Sequence, residues 1–203
     1  MLIDLSHQIT EDMPTYPSDP DIQIKREKDI SSNNTLLHSF KMGTHTGTHL
    51  DAPAHVVTHA KTISDFPLSS FSGKAIKVNK NNYKNLINIK SKINGVIFDF
   101  EWYKNFKNAH IFFGPNRPEI PQRFLKILTF LDLKFFGCDL PSVDASGDKK
   151  KPVHNLLMDK DIIIYESLNS LHSLPSLKPF DFFGFPLPFK NFDGSPVRAV
   201  AKI

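Results

Sequence analysis

Short apolar runs, each bounded by Gly, Asn, Asp or Pro, recur along the whole chain: LIDLS, LLHSFKM, KAIKV, GVIFDF, HIFFG, KFFGC, DIIIYE and SPVRAVAKI. Most carry Val, Ile or Phe, and that length and content predict β-strands. One segment, PEIPQRFLKILTFLDL, has a helical period. Phe124, Leu128 and Leu131 recur at i, i+4 and i+7, and Pro121 suits a first helical turn. A shorter helix is expected over VHNLLMDK, with His154 and Met158 on one face. The expectation is a mixed α/β domain with more strand than helix, its strand order left open.

A length of 203 residues suits one well-filled core, so a single domain spanning 1–203 is expected. Apolar residues at 40% and charged residues at 23% exclude a disordered chain. The net charge of +4 comes from scattered basic residues, and the one tight run, Lys149–Lys151 in SGDKKKP, reads as a solvated loop. Nucleic acid is therefore not an expected partner. Cys138 is the single cysteine, which rules out an internal disulfide or a Cys-rich zinc site, and KFFGCDL suits a core filler. MLIDLSHQI lacks the basic start and apolar run of a signal peptide, and no apolar stretch reaches the ~18 residues of a membrane span. A cytoplasmic protein without membrane contact is expected.

The chemistry concentrates in THTGTHLDAPAHVVTH, Thr44 to His59. The β-branched Thr44, Thr46 and Thr48, with Gly47 between and Pro53 after, predict an extended segment rather than a helix. Positions 45, 47, 49 and 51 then share one face, reading His, Gly, His, Asp, and Gly47 leaves open volume between two imidazoles. Two ring nitrogens and a carboxylate around open space suit Zn2+ or Mn2+ with positions left for water. His55 follows Pro53 and is either a further ligand or a general acid/base, for which an ordinary histidine pKa of about 6.5 is suited. His59 reads as solvent-exposed. His7, His38, His110 and His172 have no ligand-like companions and read as structural or surface residues.

HTGTHLDAPAH resembles the HxGTHxDxPxH signature of the metal-dependent cyclase/amidohydrolase family, which includes bacterial kynurenine formamidase and isatin hydrolase. IDLSHQITEDMPTYPSDP, KTISDFPLSSFSGKAI, GCDLPSVD, HNLLMDKDIIIYESLNSL and DGSPVRAVA extend the resemblance over nearly the whole chain. It implies a swivelling β/β/α-type fold and a homodimer or homotetramer. It also implies a first metal held by His45, His49 and Asp51, with Asp51 bridging to a second held by His154 and Glu166, and His55 as the catalytic histidine. The implied cofactor is Zn2+, one or two ions per subunit, with Mn2+ the alternative. The implied reaction is hydrolysis of a small-molecule amide by metal-activated water, an aryl formamide such as N-formylkynurenine. An isatin-type cyclic amide hydrolase, a cyclase on the same scaffold and a non-enzymatic metal-binding oligomer are the competing expectations. Phe66, Trp102 and several C-terminal phenylalanines are candidates for an aromatic pocket wall, set against a core role for most of them. Phe100-Glu101-Trp102 stands where many relatives have Thr-Gly-Trp, a departure that bears on substrate choice.

Overall fold

The computed structural model describes residues 1–203. Its strands run β1 (Leu2–Asp4), β2 (Gln23–Lys28), β3 (Leu37–Lys41), β4 (His49–Asp51), β5 (Ser72–Asn79) and β6 (Gly95–Asp99) in the first half. β7 (Phe135–Cys138), β8 (Ile163–Glu166), β9 (Pro179–Phe183), β10 (Gly194–Pro196) and β11 (Val200–Lys202) follow. The α-helices are short: α1 (Ile30–Asn33), α2 (Ala109–Phe112), α3 (Gln122–Phe130) and α4 (Pro152–Met158). β2 and β3 pair only with each other, and the other nine strands form one sheet in the order β1-β11-β9-β5-β6-β7-β8-β4-β10. β5 to β8 are parallel, and every flanking pair is antiparallel.

The parallel centre is buried on both faces, which is why β6, β7 and β8 read as near-continuous apolar runs, while β5 carries the buried Lys77 between Ile76 and Val78. Ile76, Val78, Val96, Phe98, Phe136 and Ile164 face Phe124 and Leu128 of α3 and Leu157 of α4. Ala75, Ile97, Phe135, Ile163 and Tyr165 face the other way and pack with Leu5, Leu50 and Phe182. Neighbours in sequence such as Phe135 and Phe136 thus serve different cores, as the two-residue period of a strand requires.

This second core sits inside a curl. β10 and β11 lie near opposite ends of the strand order, yet only residues 197–199 separate them. Val197 N donates to Thr48 O at 3.0 Å, and Ala199 O accepts from Leu5 N at 2.8 Å, so the two ends of the sheet meet there. The single strand expected over SPVRAVAKI is therefore two strands, because the chain changes partners midway.

HIFFG also departs from expectation. It is helical (α2), not a strand: the Asn108 side chain accepts from Ile111 N at 3.2 Å and closes a turn, and Phe112 is fully buried. A run this short carries no period by which to separate the two. α3 and α4 fall where expected, with Phe124, Leu128, His154 and Met158 buried, and Leu131 at the end of α3 rather than inside it. No helix is long and apolar enough to cross a membrane.

Candidate metal centre and pocket

The extended run expected across Thr44–Asp51 is not what forms. Only His49–Asp51 is strand, and Gly47, at φ +62°, turns the chain ahead of it. That φ favours glycine, and a Cβ there would fall 2.8 Å from Met13 Cε. The room Gly47 gives is therefore taken by Met13 and not by the imidazoles. Thr48 anchors the turn by donating to Ser167 O at 2.6 Å and accepting from His7 N at 2.9 Å. The turn sets His45 beside His49, their rings 5.1 Å apart and nearly perpendicular.

β4 lies between β8 and β10, and its register puts His49 opposite Glu166 and Asp51 opposite Gly194. α4, entered through Pro152, points His154 at the same spot. Five donor separations result. His45 Nδ1 is 2.6 Å from Asp51 Oδ1, and His49 Nε2 is 3.3 Å from Asp51 Oδ1 and 3.5 Å from Glu166 Oε2. His154 Nε2 is 3.4 Å from both Asp51 Oδ2 and Glu166 Oε1. The structure thus brings together His45, His49, Asp51, His154 and Glu166 in two groups that share Asp51, while His59 stays exposed and outside them.

The outer nitrogen of each donor ring meets an acceptor. His49 Nδ1 faces Gly47 O at 2.8 Å, His154 Nδ1 faces Asp144 Oδ2 at 2.5 Å, and His45 Nε2 faces Asp193 Oδ2 at 2.8 Å. Asp193 also lies 3.3 Å from His55 Nδ1. Neither Asp144 nor Asp193 is among the residues that the sequence singles out. The dipeptide Asp193-Gly194 is a turn signal, which marks a bend in the chain but names no partner for the carboxylate.

Charge follows this wiring. Burial opposes a proton on His45 and on His154. It is outweighed at His45 by the Asp51 carboxylate and by hydrogen bonding to Asp193, and at His154 by hydrogen bonding to Asp144 and by the carboxylates of Asp51 and Glu166 close by; both rings rise to about 9. Burial likewise works against ionisation of Asp51, yet the charges of His45 and His49 hold it well below the usual carboxylate range. Hydrogen bonds from His45 and His55 hold Asp193 low as well.

Above the cluster opens a pocket of about 390 Å³. Tyr16, Phe106 and Phe113 supply its aromatic lining, and Lys149, Lys150 and Lys151 border it. The lysine run is solvated, as expected, but it is also a pocket rim. Phe66 and Trp102 do not line it: Phe66 packs against the core inside the curl, and Trp102 Nε1 donates to Phe112 O at 3.1 Å.

The sequence profile of the Cyclase family matches residues 3–145, most of the chain. The protein belongs to the Cyclase family. It is 30% identical to kynurenine formamidase of Geobacillus thermodenitrificans over 98% of this chain and 96% of that one. It is also 30% identical to kynurenine formamidase of Salinibacter ruber, over 99% and 97%. Isatin hydrolase A from Ralstonia solanacearum has the same fold, with a TM-score of 0.85 at 20% identity over 99% of this chain and 91% of that one.

The residues of this Cyclase-family site fit a divalent ion. Two ligands of a tetrahedral ion, each at about 2.0–2.1 Å, lie roughly 3.3 Å apart, and three of the four separations within the two groups that share Asp51 fall at 3.3–3.4 Å. Asp51 Oδ2 is buried without a hydrogen bond, with His154 Nε2 an ion-pair neighbour at 3.4 Å. Native interiors rarely leave such an atom unpaired, and a cation is what a carboxylate oxygen there would take.

Proposed function

We propose that this protein is a metal-dependent amidohydrolase that cleaves the C–N bond of an aryl formamide such as N-formylkynurenine, releasing formate and the aryl amine. The observation that carries this reading is the gathering of these parts around one pocket. Two donor groups sharing Asp51 lie at the foot of the pocket, His55 stands beside them, and an aromatic wall with a lysine rim lies above. His45, His49 and Asp51 hold one ion in this reading, and Asp51, His154 and Glu166 a second. Three imidazoles among five ligands suit Zn2+ better than Mn2+. The chemistry such ions supply is acidification of water toward a pKa of about 7 and polarisation of a carbonyl oxygen.

The chain's own residues do the rest. His55 has Nδ1 turned to Asp193, which leaves Nε2 as the ring's free nitrogen in the pocket lining. Nε2 accepts the proton of the attacking water and returns it to the leaving nitrogen, help worth ~10²–10⁴-fold. An aryl amine is a weak base and departs once protonated. Tyr16, Phe106 and Phe113 offer faces for an aromatic ring, and Lys149–Lys151 offer charge for a carboxylate such as an amino-acid substrate carries. Isatin is uncharged and makes no use of that rim.

The deciding assay compares N-formylkynurenine with isatin on zinc-loaded protein, before and after exhaustive chelation. The expected result is faster turnover of the formamide, abolished by chelation and restored by zinc. Hydrolysis that survives metal removal overturns the reading, and preference for isatin moves the substrate class to cyclic amides.

A further inference from the structure

Asp193 stands at the entrance to β10, and its placement follows from the pairing of β10 with β4. Gly194 opposes Asp51, and Asp193 O accepts from Ala52 N at 2.8 Å. A Cβ at position 194 would fall 2.6 Å from His45 Cε1 and 2.8 Å from Leu50 O, so glycine is what allows the approach. Thr44 Oγ1 donates to Asp193 Oδ1 at 3.2 Å and orients the carboxylate. The other oxygen, Oδ2, faces two rings at once: His45 Nε2 at 2.8 Å and His55 Nδ1 at 3.3 Å. Those rings lie 4.1 Å apart.

We propose that Asp193 is a positioning residue whose Oδ2 accepts from both His45 Nε2–H and His55 Nδ1–H. One carboxylate thereby fixes the tautomer of a metal-binding histidine and of the proton-transferring histidine together. With its proton on Nε2, His45 presents a lone pair at Nδ1, the nitrogen beside Asp51. With its proton on Nδ1, His55 presents Nε2 to the pocket. Carboxylates behind metal-bound histidines commonly have this role, and their loss costs about 10–100-fold in affinity or activity. What is particular here is the sharing. The proposal rests on the metal-hydrolase reading, although its His45 half concerns ion binding alone and is measured without substrate.

The test is Asp193→Asn, nearly isosteric, alone and combined with His55→Ala. In the single variant, zinc stoichiometry should be unchanged, zinc affinity by chelator competition about 10–100-fold weaker, and kcat about 100-fold lower with KM little moved. In the His55→Ala background, Asp193→Asn should weaken zinc as before and cost turnover less than it does in the wild type. Ring ¹⁵N NMR of the wild-type zinc protein should show His45 as the Nε2–H tautomer and His55 as Nδ1–H, which decides the matter even where the variant does not fold. A protein that hydrolyses no amide still answers through zinc affinity and NMR. Unchanged zinc affinity, an equal further loss of turnover without His55, or the opposite tautomers would each overturn the proposal. So would one zinc ion lost at saturation, which would make Asp193 a ligand.

Discussion

The site has an inner and an outer half, and they differ in access to water. Asp51, His154 and Glu166 are buried, with side chains no more than 4% exposed, whereas those of His45, His55 and Asp193 are 16%, 25% and 40% exposed. Carboxylates in the inner half cannot be solvated and must be balanced where they stand, by protonated rings or by a cation. Rings from both halves reach the pocket, His45 and His55 from the outer and His154 from the inner, but the outer rings are the more exposed. In the proposed function, ion holding belongs mainly inside and proton transfer outside, and His45 joins the two.

Asp51→Ala strikes both donor groups and should give the largest effect. Zinc measured by elemental analysis and hydrolysis should vanish together. His55→Ala should keep its zinc while kcat falls by ~10²–10⁴-fold. Retained zinc in Asp51→Ala together with lost zinc in His55→Ala would reverse the division between halves. Asp144→Asn tests the inner half from behind, since Asp144 accepts from both Val153 N at 2.6 Å and the His154 ring. Zinc affinity should weaken by about 10–100-fold, and denaturant titration should show about 1–3 kcal/mol of lost stability. A variant that loses stability but not zinc affinity would show that Asp144 holds the α4 entrance and does not tune the ligand.

The two halves were unequally legible in the sequence. His45, His49 and Asp51 lie within seven residues of one another, and their types alone announce a metal. They converge by a Gly47 turn and not by the alternation of a strand, so the residues were readable while the local geometry was not. His154 and Glu166 came from family resemblance, because their approach depends on β4 pairing with β8 and on α4 packing over it. Asp193 sits 148 residues from His45, and nothing local in the chain records the β10–β4 pairing that joins them. The parallel centre was visible as apolar runs, whereas the curl depends on residues 197–199 changing partners, which no run length conveys.

A smaller effect separates the role of the carboxylates from the role of burial. His7 is largely buried against Phe106, its ring stacked at 3.5 Å and its Nε2 without a partner. No carboxylate accompanies it, and burial pushes its pKa down to about 4, opposite to His45 and His154 at about 9. The folded protein thus keeps His7 neutral where the unfolded chain, titrating near 6.5, takes up a proton. The associated stability is complete above pH 6.5 and is lost as pH falls through about 4. His7→Phe keeps a stacked ring and removes the proton site, while the metal-site histidines titrate alike in both proteins. Between pH 7 and pH 4.5 the wild type should therefore lose about 1–3 kcal/mol more unfolding free energy than the variant. Parallel curves would mean that burial alone does not depress a histidine at this depth, and the contrast with His45 would then rest on the carboxylates entirely.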